Sequence, residues 1–232
     1  MFHPPDHPLG RGWVGRIDGD HVIHLAAQTL QSFFTGGGAA REHAVYPLDA
    51  VRLLAPVLHP PAVRVFEDQT SFEFANPAAI VGPGSQIERG RPPGDVSQGP
   101  LDLYPRVAVV LGTAGEIGGF TIFAEWRDPD RRPPKDRDFA LGLGPLVVTP
   151  DDLEPDGLAA RVRVDGEERL SGRFDGFDWT AARDFAATGT VLRPGDLLAG
   201  PAAGTVDGIG PGGSVELTVE GIGELAHTLL RD

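Results

Sequence analysis

The sequence predicts a β-rich α+β fold with a small N-terminal lobe, on three observations. First, two uniformly apolar stretches, 107–111 (VAVVL) and 120–123 (FTIF), flank a loop carrying Gly115, Gly118 and Gly119. Strands of this composition lie in a sheet covered on both faces, so a site would be built from polar residues at their ends. Second, 32 glycines and 22 prolines among 232 residues, without a repeat, indicate many turns rather than disorder. Third, 232 residues can bury a full core, as one domain or as a lobe plus a domain.

In chain order, residues 1–10 (MFHPPDHPLG) read as a loose, proline-flanked arm. Residues 13–17 and 21–25 flank Asp18-Gly19-Asp20, a hairpin signal. His21 and His24 are three apart on a strand and face opposite sides, so they do not converge on one metal. A short helix is expected over 28–34, stopped by glycines 36–38, and a strand over 46–54, ended by Pro56 and Pro60-Pro61. The lobe is therefore placed at 1–56 and the main domain at 57–232. A charged, proline-rich connection after 124 leads through 141–145 (LGLGP) to a third strand at 146–148. Asp178 is a suitable N-cap for a helix over 180–187, with Phe177 and Trp179 packing in the core. The charges at Asp128, Asp130, Arg131 and Arg132 read as solvated turn residues.

Composition narrows function. A formal net charge of −13 disfavours nucleic acid and anionic membranes as partners. With no cysteine there is no disulfide, thiolate metal site or thiol nucleophile. The first residues lack a signal-peptide pattern and no apolar run reaches membrane-span length, so a cytoplasmic protein is expected. All seven histidines lie at 3, 7, 21, 24, 43, 59 and 227, leaving no imidazole base between 60 and 226. Gly208, Gly210 and Gly213 match a GxGxxG spacing. They lead into a strand rather than a helix, so no phosphate cradle follows.

Several segments resemble the fumarylacetoacetate hydrolase family: 72–83 (FEFANPAAIVGP), 120–128 (GFTIFAEWRD from Gly119), 138–153 (DFALGLGPLVVTPDDL), 162–168 (VRVDGEE), 192–196 (LRPGD) and 212–225. The resemblance runs from about residue 45 to the end in the family's order. It implies a mixed β-roll or barrel, a homodimer, and magnesium- or manganese-dependent hydrolase, decarboxylase or isomerase chemistry on small 2-oxo or diketo acids. The family's two metal-binding glutamates, two residues apart on one strand face, fall on Tyr104 and Arg106. Its third ligand falls on Glu125, its lysine on Lys135, and its carboxylate-gripping threonine on Ala202, with Thr205 the nearest hydroxyl. The helical lid that carries the family's histidine base has little room between 62 and 74.

One carboxylate beside an arginine is a poor site for Mg²⁺, so no cofactor is expected. A weak Mg or Mn site between Asp102 and Glu125 would need the strand to slip by two residues. Two readings follow. In one, Arg106 and Lys135 replace the metal as binders of a small acidic metabolite, with Tyr104 and Thr205 alongside and Glu125 as the acid–base group. In the other, Arg106 and Glu125 form an ion pair in the vacated corner with Tyr104 over it, and the protein is a catalytically inactive relative that binds a small acid or a protein partner.

Overall fold

A computed structural model describes residues 1–5, 12–36, 39–89 and 99–231. The chain opens with β1 (Phe2–His3) and the hairpin β2 (Gly15–Asp18) to β3 (His21–Ala26). Helix α1 (Leu30–Phe34) follows, with the Thr29 hydroxyl accepting from Ser32 N at 3.0 Å as its N-cap. Next come β4 (Ala39–Pro47), β5 (Arg52–Leu53), β6 (Val63–Asp68), β7 (Ser71–Ala75), β8 (Ile80–Val81) and β9 (Gln86–Ile87). The two long strands are β10 (Leu101–Leu111) and β11 (Ile117–Arg127). They lead to β12 (Leu141–Leu143), the hairpin β13 (Leu158–Val164) to β14 (Glu167–Phe174), and helix α2 (Trp179–Ala187). β15 (Leu197–Ala199), β16 (Val206–Ile209), β17 (Ser214–Val219) and β18 (Gly223–Leu229) complete the chain.

The principal sheet runs β7-β6-β15-β10-β11-β12-β8, with β16 pairing to the start of β10. A second sheet runs β14-β13-β17-β18-β9. Strands between residues 2 and 53 form two small sheets, β1-β5 and β2-β3-β4. The fold is thus β-rich, with two short α-helices among the described residues.

The apolar pattern of β10 explains why it is central. Val107, Val109 and Leu111 enter a core shared with the second sheet and α2; Ala108 and Val110 enter another with Phe123, Val65, Leu197 and Leu143. Side chains alternate across a strand, so uniform apolarity gives burial on both faces. Each such side chain buried contributes about 1.5–3 kcal/mol. Further toward its start the pattern of β10 changes to Asp102, Tyr104 and Arg106 on one face. The antiparallel register sets Tyr104 opposite Glu125 and Arg106 opposite Phe123. Charge is thereby concentrated at one end of the principal sheet.

Several local expectations are met. α2 starts where Asp178 accepts from Ala181 N at 2.9 Å. Trp179 is buried and Phe177 packs edge-on against it, ring centroids 4.7 Å apart. Gly208 lies in β16, and Gly210 to Gly213 form the turn into β17, with Gly213 N donating to the Gly210 carbonyl at 3.1 Å. The β13–β14 hairpin turns on Asp165 (φ 52°) and Gly166 (φ 83°), a left-handed pair that an Asp-Gly dipeptide adopts readily.

Others are corrected. The third strand is Leu141–Leu143, paired to Phe123–Glu125; Val148 makes only an isolated bridge to Phe120. Pro145, lacking an amide hydrogen, ends that pairing before 146. The strand expected over 46–54 is interrupted by a 3₁₀ turn at Leu48–Ala50, and the longer strand is β4, ahead of it. The opening residues are not a loose arm: Phe2 is buried and pairs with Leu53. His7 lies outside the described residues. Asp128 is no solvated turn charge. It is fully buried and accepts from Arg89 Nη1 at 2.7 Å and from Asp130 N at 3.0 Å.

Candidate functional site: a guanidinium–carboxylate cluster at the sheet end

Four strand termini meet at the charged end: the start of β10 and the ends of β6, β11 and β15. β6 and β15 run parallel, while β15 and β11 both run antiparallel to β10. Arg106 is fully buried there and makes four hydrogen bonds. Nε donates to Glu125 Oε2 at 2.7 Å, and Nη1 donates to the Phe66 carbonyl at 3.1 Å and to the Gly200 carbonyl at 2.9 Å. Nη2 donates to Glu67 Oε1 at 2.7 Å. A buried guanidinium is tolerated only when its donors are matched in this way.

Glu125 is equally enclosed, at 0% exposure. Its second oxygen, Oε1, accepts from Arg127 Nε at 2.9 Å and lies 2.8 Å from Arg127 Nη2 and 3.7 Å from Arg137 Nη1. The Arg127 guanidinium in turn stacks 4.1 Å over the Tyr104 ring. Arg137 Nη1 also donates to Glu73 Oε2 at 2.5 Å, and Arg137 Nε lies 3.6 Å from Asp136 Oδ2. The corner therefore alternates guanidinium and carboxylate groups, with Arg106 and Glu125 at its bottom.

The structure brings together Tyr104, Arg106 and Glu125 but not the other residues read from the sequence. Lys135 is 71% exposed and paired with Asp138; the cation its turn directs to Glu125 is Arg137. Thr205 is exposed in the turn before β16. Asp102 accepts from Gly208 N at 2.9 Å, held by β16 rather than turned to Glu125. The loop carrying Ala202 borders a cavity of about 80 Å³ with Val107 and Trp179, on the opposite side of β10 from Arg106. Where a lid would rise between 62 and 74, β6 and β7 form a tight hairpin. Among the described residues, no cluster of three His, Asp or Glu side chains is arranged to hold a metal ion.

Arg127, Arg137, Glu67 and Glu73 were not read from the sequence as parts of this site. Arg127 had a signal: it lies two residues after Glu125 on one strand and must share its face. Glu67 and Glu73 share a face of the hairpin too, since Val65 pairs with Glu73. Arg137 comes from an irregular turn, where no periodicity points anywhere. A separate cavity of about 560 Å³ is lined by Val14, Leu25, Phe33, Phe34, Leu146 and Val147 among others. It is mostly apolar, whereas the charged groups that could engage an acid are at the sheet end.

No helix among the described residues is long and apolar enough to cross a membrane. Comparison with known proteins gives a consistent picture. A Mycobacterium tuberculosis protein is 29% identical over 225 residues, covering 80% of this chain and 81% of its own length. The structure of 5-carboxymethyl-2-hydroxymuconate delta-isomerase from Mycobacterium smegmatis superposes with a TM-score of 0.76 at 25% identity, covering 100% of this chain and 98% of that one. Maleylpyruvate hydrolase from Sphingobium sp. SYK-6, in complex with manganese(II) and pyruvate, shares the fold. Its TM-score is 0.74 at 18% identity, with 95% of this chain and 97% of that one covered. The family model described as fumarylacetoacetate (FAA) hydrolase C-terminal matches residues 48–230, and the chain belongs to the fumarylacetoacetate hydrolase family.

Proposed function

We propose that this protein is a metal-independent member of its family that binds a small oxo acid through arginine side chains. The observation that carries the reading is the saturation of Glu125. Both carboxylate oxygens accept from guanidinium groups, and the side chain is closed to solvent. A divalent cation of the magnesium type needs several oxygen donors and gives up its water reluctantly. Here the two positions facing Glu125 carry a phenol and a fixed cation, Tyr104 and Arg106. The residues present do not fit the ion, and no chemical step is assigned to it.

The same saturation argues against Glu125 as an acid–base group. A proton-transfer residue must come within hydrogen-bond reach of its substrate, and both oxygens of this one are already taken. Arg106 is likewise engaged on every side and is better read as a structural counter-ion. The groups left to meet an acid are Arg127 and Arg137, 19% and 13% exposed at the rim. Planar guanidinium forks suit carboxylates. Binding of an oxo acid without turnover is therefore the reading favoured over catalysis.

The test is a thermal-shift and turnover series on chelator-treated protein. Oxaloacetate is expected to raise the melting temperature, while Mn²⁺ or Mg²⁺ has no effect and oxaloacetate and acylpyruvate decay at the buffer rate. Metal-dependent stabilisation would restore a metal site, and metal-free turnover abolished by Glu125→Gln would restore catalysis through that carboxylate. No response to any oxo acid would remove the small-acid assignment.

A further inference from the structure

Resting on that reading, we propose that Glu67 and Glu73 are built-in carboxylate placeholders, which a dicarboxylic oxo acid displaces, Glu73 from Arg137 and Glu67 from the edge shared by Arg106 and Arg127. The contrast in burial points to this. Arg106 and Glu125 are closed off, whereas Glu67 and Glu73 are 63% and 68% exposed while their guanidinium partners are mostly covered. Glu73 reaches Arg137 Nη1 at 2.5 Å; Glu67 lies 3.8 Å from Arg127 Nη2 and accepts from Arg106 Nη2 at 2.7 Å. Both are diagonal neighbours on one face of the β6–β7 hairpin. The hairpin thus presents two carboxylates to the arginines as one unit.

Exchange at such a site is nearly balanced. The glutamates themselves are mostly exposed, and an incoming carboxylate takes over the covered guanidinium edges that they release, so no buried donor is left without an acceptor. With Glu67 and Glu73 swung into water, Arg106, Arg127 and Arg137 face the fixed carboxylates of Glu125 and Asp136. One positive charge is then uncompensated, and the rim edges of Arg127 and Arg137, together with Nη2 of Arg106, are open to an incoming carboxylate. Arg127 and Arg137 both approach the same oxygen, Glu125 Oε1, within 3.7 Å. They are close enough together for the two ends of a short diacid to engage both. A monocarboxylate would replace only one placeholder. The ligand class is accordingly a small dicarboxylate with an oxo group, and the glutamates act as competitors that set its affinity.

The experiment is calorimetric titration of oxaloacetate, with acetate as the monoacid control, into wild type, Glu67→Gln/Glu73→Gln, and the same pair carrying Arg137→Gln. Removing both competitors is expected to lower the Kd for oxaloacetate about tenfold, the equivalent of two exposed ion pairs released. The gain should vanish when Arg137 is also replaced, and acetate should gain less than oxaloacetate. Glu67→Gln keeps an oxygen that can accept from Arg106 Nη2, and unchanged urea midpoints of the variants check that the fold is kept. Equal Kd values in wild type and the double variant would overturn the placeholder role while leaving small-acid binding intact. Absence of oxaloacetate binding in both proteins would overturn the two together.

Discussion

Arg106 Nε sits 2.7 Å from Glu125 Oε2, and neither side chain is exposed to solvent. A pair formed in water gains little, but once both partners are enclosed, the loss of either leaves a charge with nothing to match it. Arg106→Leu is expected to cost about 3–5 kcal/mol, read as a fall in the urea midpoint at unchanged m-value. Combining Arg106→Leu with Glu125→Leu should cost less than Arg106→Leu alone, because Arg127 remains at the rim where water reaches it. A double variant as unstable as the sum of its parts would show that the two residues act independently.

The register that sets Tyr104 opposite Glu125 makes a gain-of-function variant testable. Tyr104→Glu combined with Arg106→Glu places three carboxylates on one face at the sheet end, a suitable oxygen set for a hard divalent ion. Mn²⁺ should then raise the melting temperature of the variant but not of wild type. At a hundredfold excess over Kd the stabilisation would be about 2.7 kcal/mol. A folded variant indifferent to Mn²⁺ would mean that backbone position, not side-chain identity, excludes the ion.

His227 gives the protein an acid limit. The ring is 3% exposed, with Nδ1 3.2 Å from the Ser85 carbonyl and Nε2 without a hydrogen-bond partner. Burial lowers its pKa from 6.5 to about 4, so the folded state holds it neutral. Above pH 6.5 both folded and unfolded forms are neutral, and no stability depends on pH through this group. As pH falls from 6.5 to about 4, the unfolded chain takes up the proton first and stability drops by roughly 3 kcal/mol. Urea midpoints measured across that range should fall in wild type and fall less in His227→Met. Parallel curves would place the acid sensitivity elsewhere.

The same ring packs flush against β12. A Cβ on Gly142 would meet His227 Nε2 at 2.4 Å and the Ala124 methyl at 2.9 Å. Gly142→Ala is therefore expected to destabilise by about 1–3 kcal/mol, the usual range for overpacking. Pairing it with His227→Ala should recover part of that loss in a double-mutant cycle. An unchanged penalty would assign it to Ala124 alone.

Much of this was legible in the sequence because it follows from period-two alternation. Val107 to Leu111 announced a strand covered on both sides, and the two-residue spacing of Tyr104 and Arg106 announced a shared face; only the family resemblance set Glu125 beside them. The hairpin turns at Gly19 and Asp165-Gly166 and the Asp178 cap rest on equally local chemistry. What could not be read came from groups far apart in the chain. Arg137 reaches Glu125 from an irregular turn, and Glu67 and Glu73 arrive on a hairpin whose docking depends on the β6–β15 pairing. Lys135 is placed at the site by resemblance alone, yet a change of two positions in a turn without periodicity decides which cation points inward. Asp128 was read as solvated since nothing nearby in sequence signals Arg89, thirty-nine residues earlier, as its partner.

The long strands β10 and β11 divide their length between two duties. The half from Val107 to Leu111 anchors both hydrophobic interiors, while the half from Asp102 to Arg106 gives one face to the ionic corner and the other, through Leu103, to the core. Chemistry at that corner can thus be exchanged, oxygen cage for arginine lattice, with the scaffold's cohesion kept in the other half. Such a separation would let the polar residues of that corner vary without loosening the packed interior behind them.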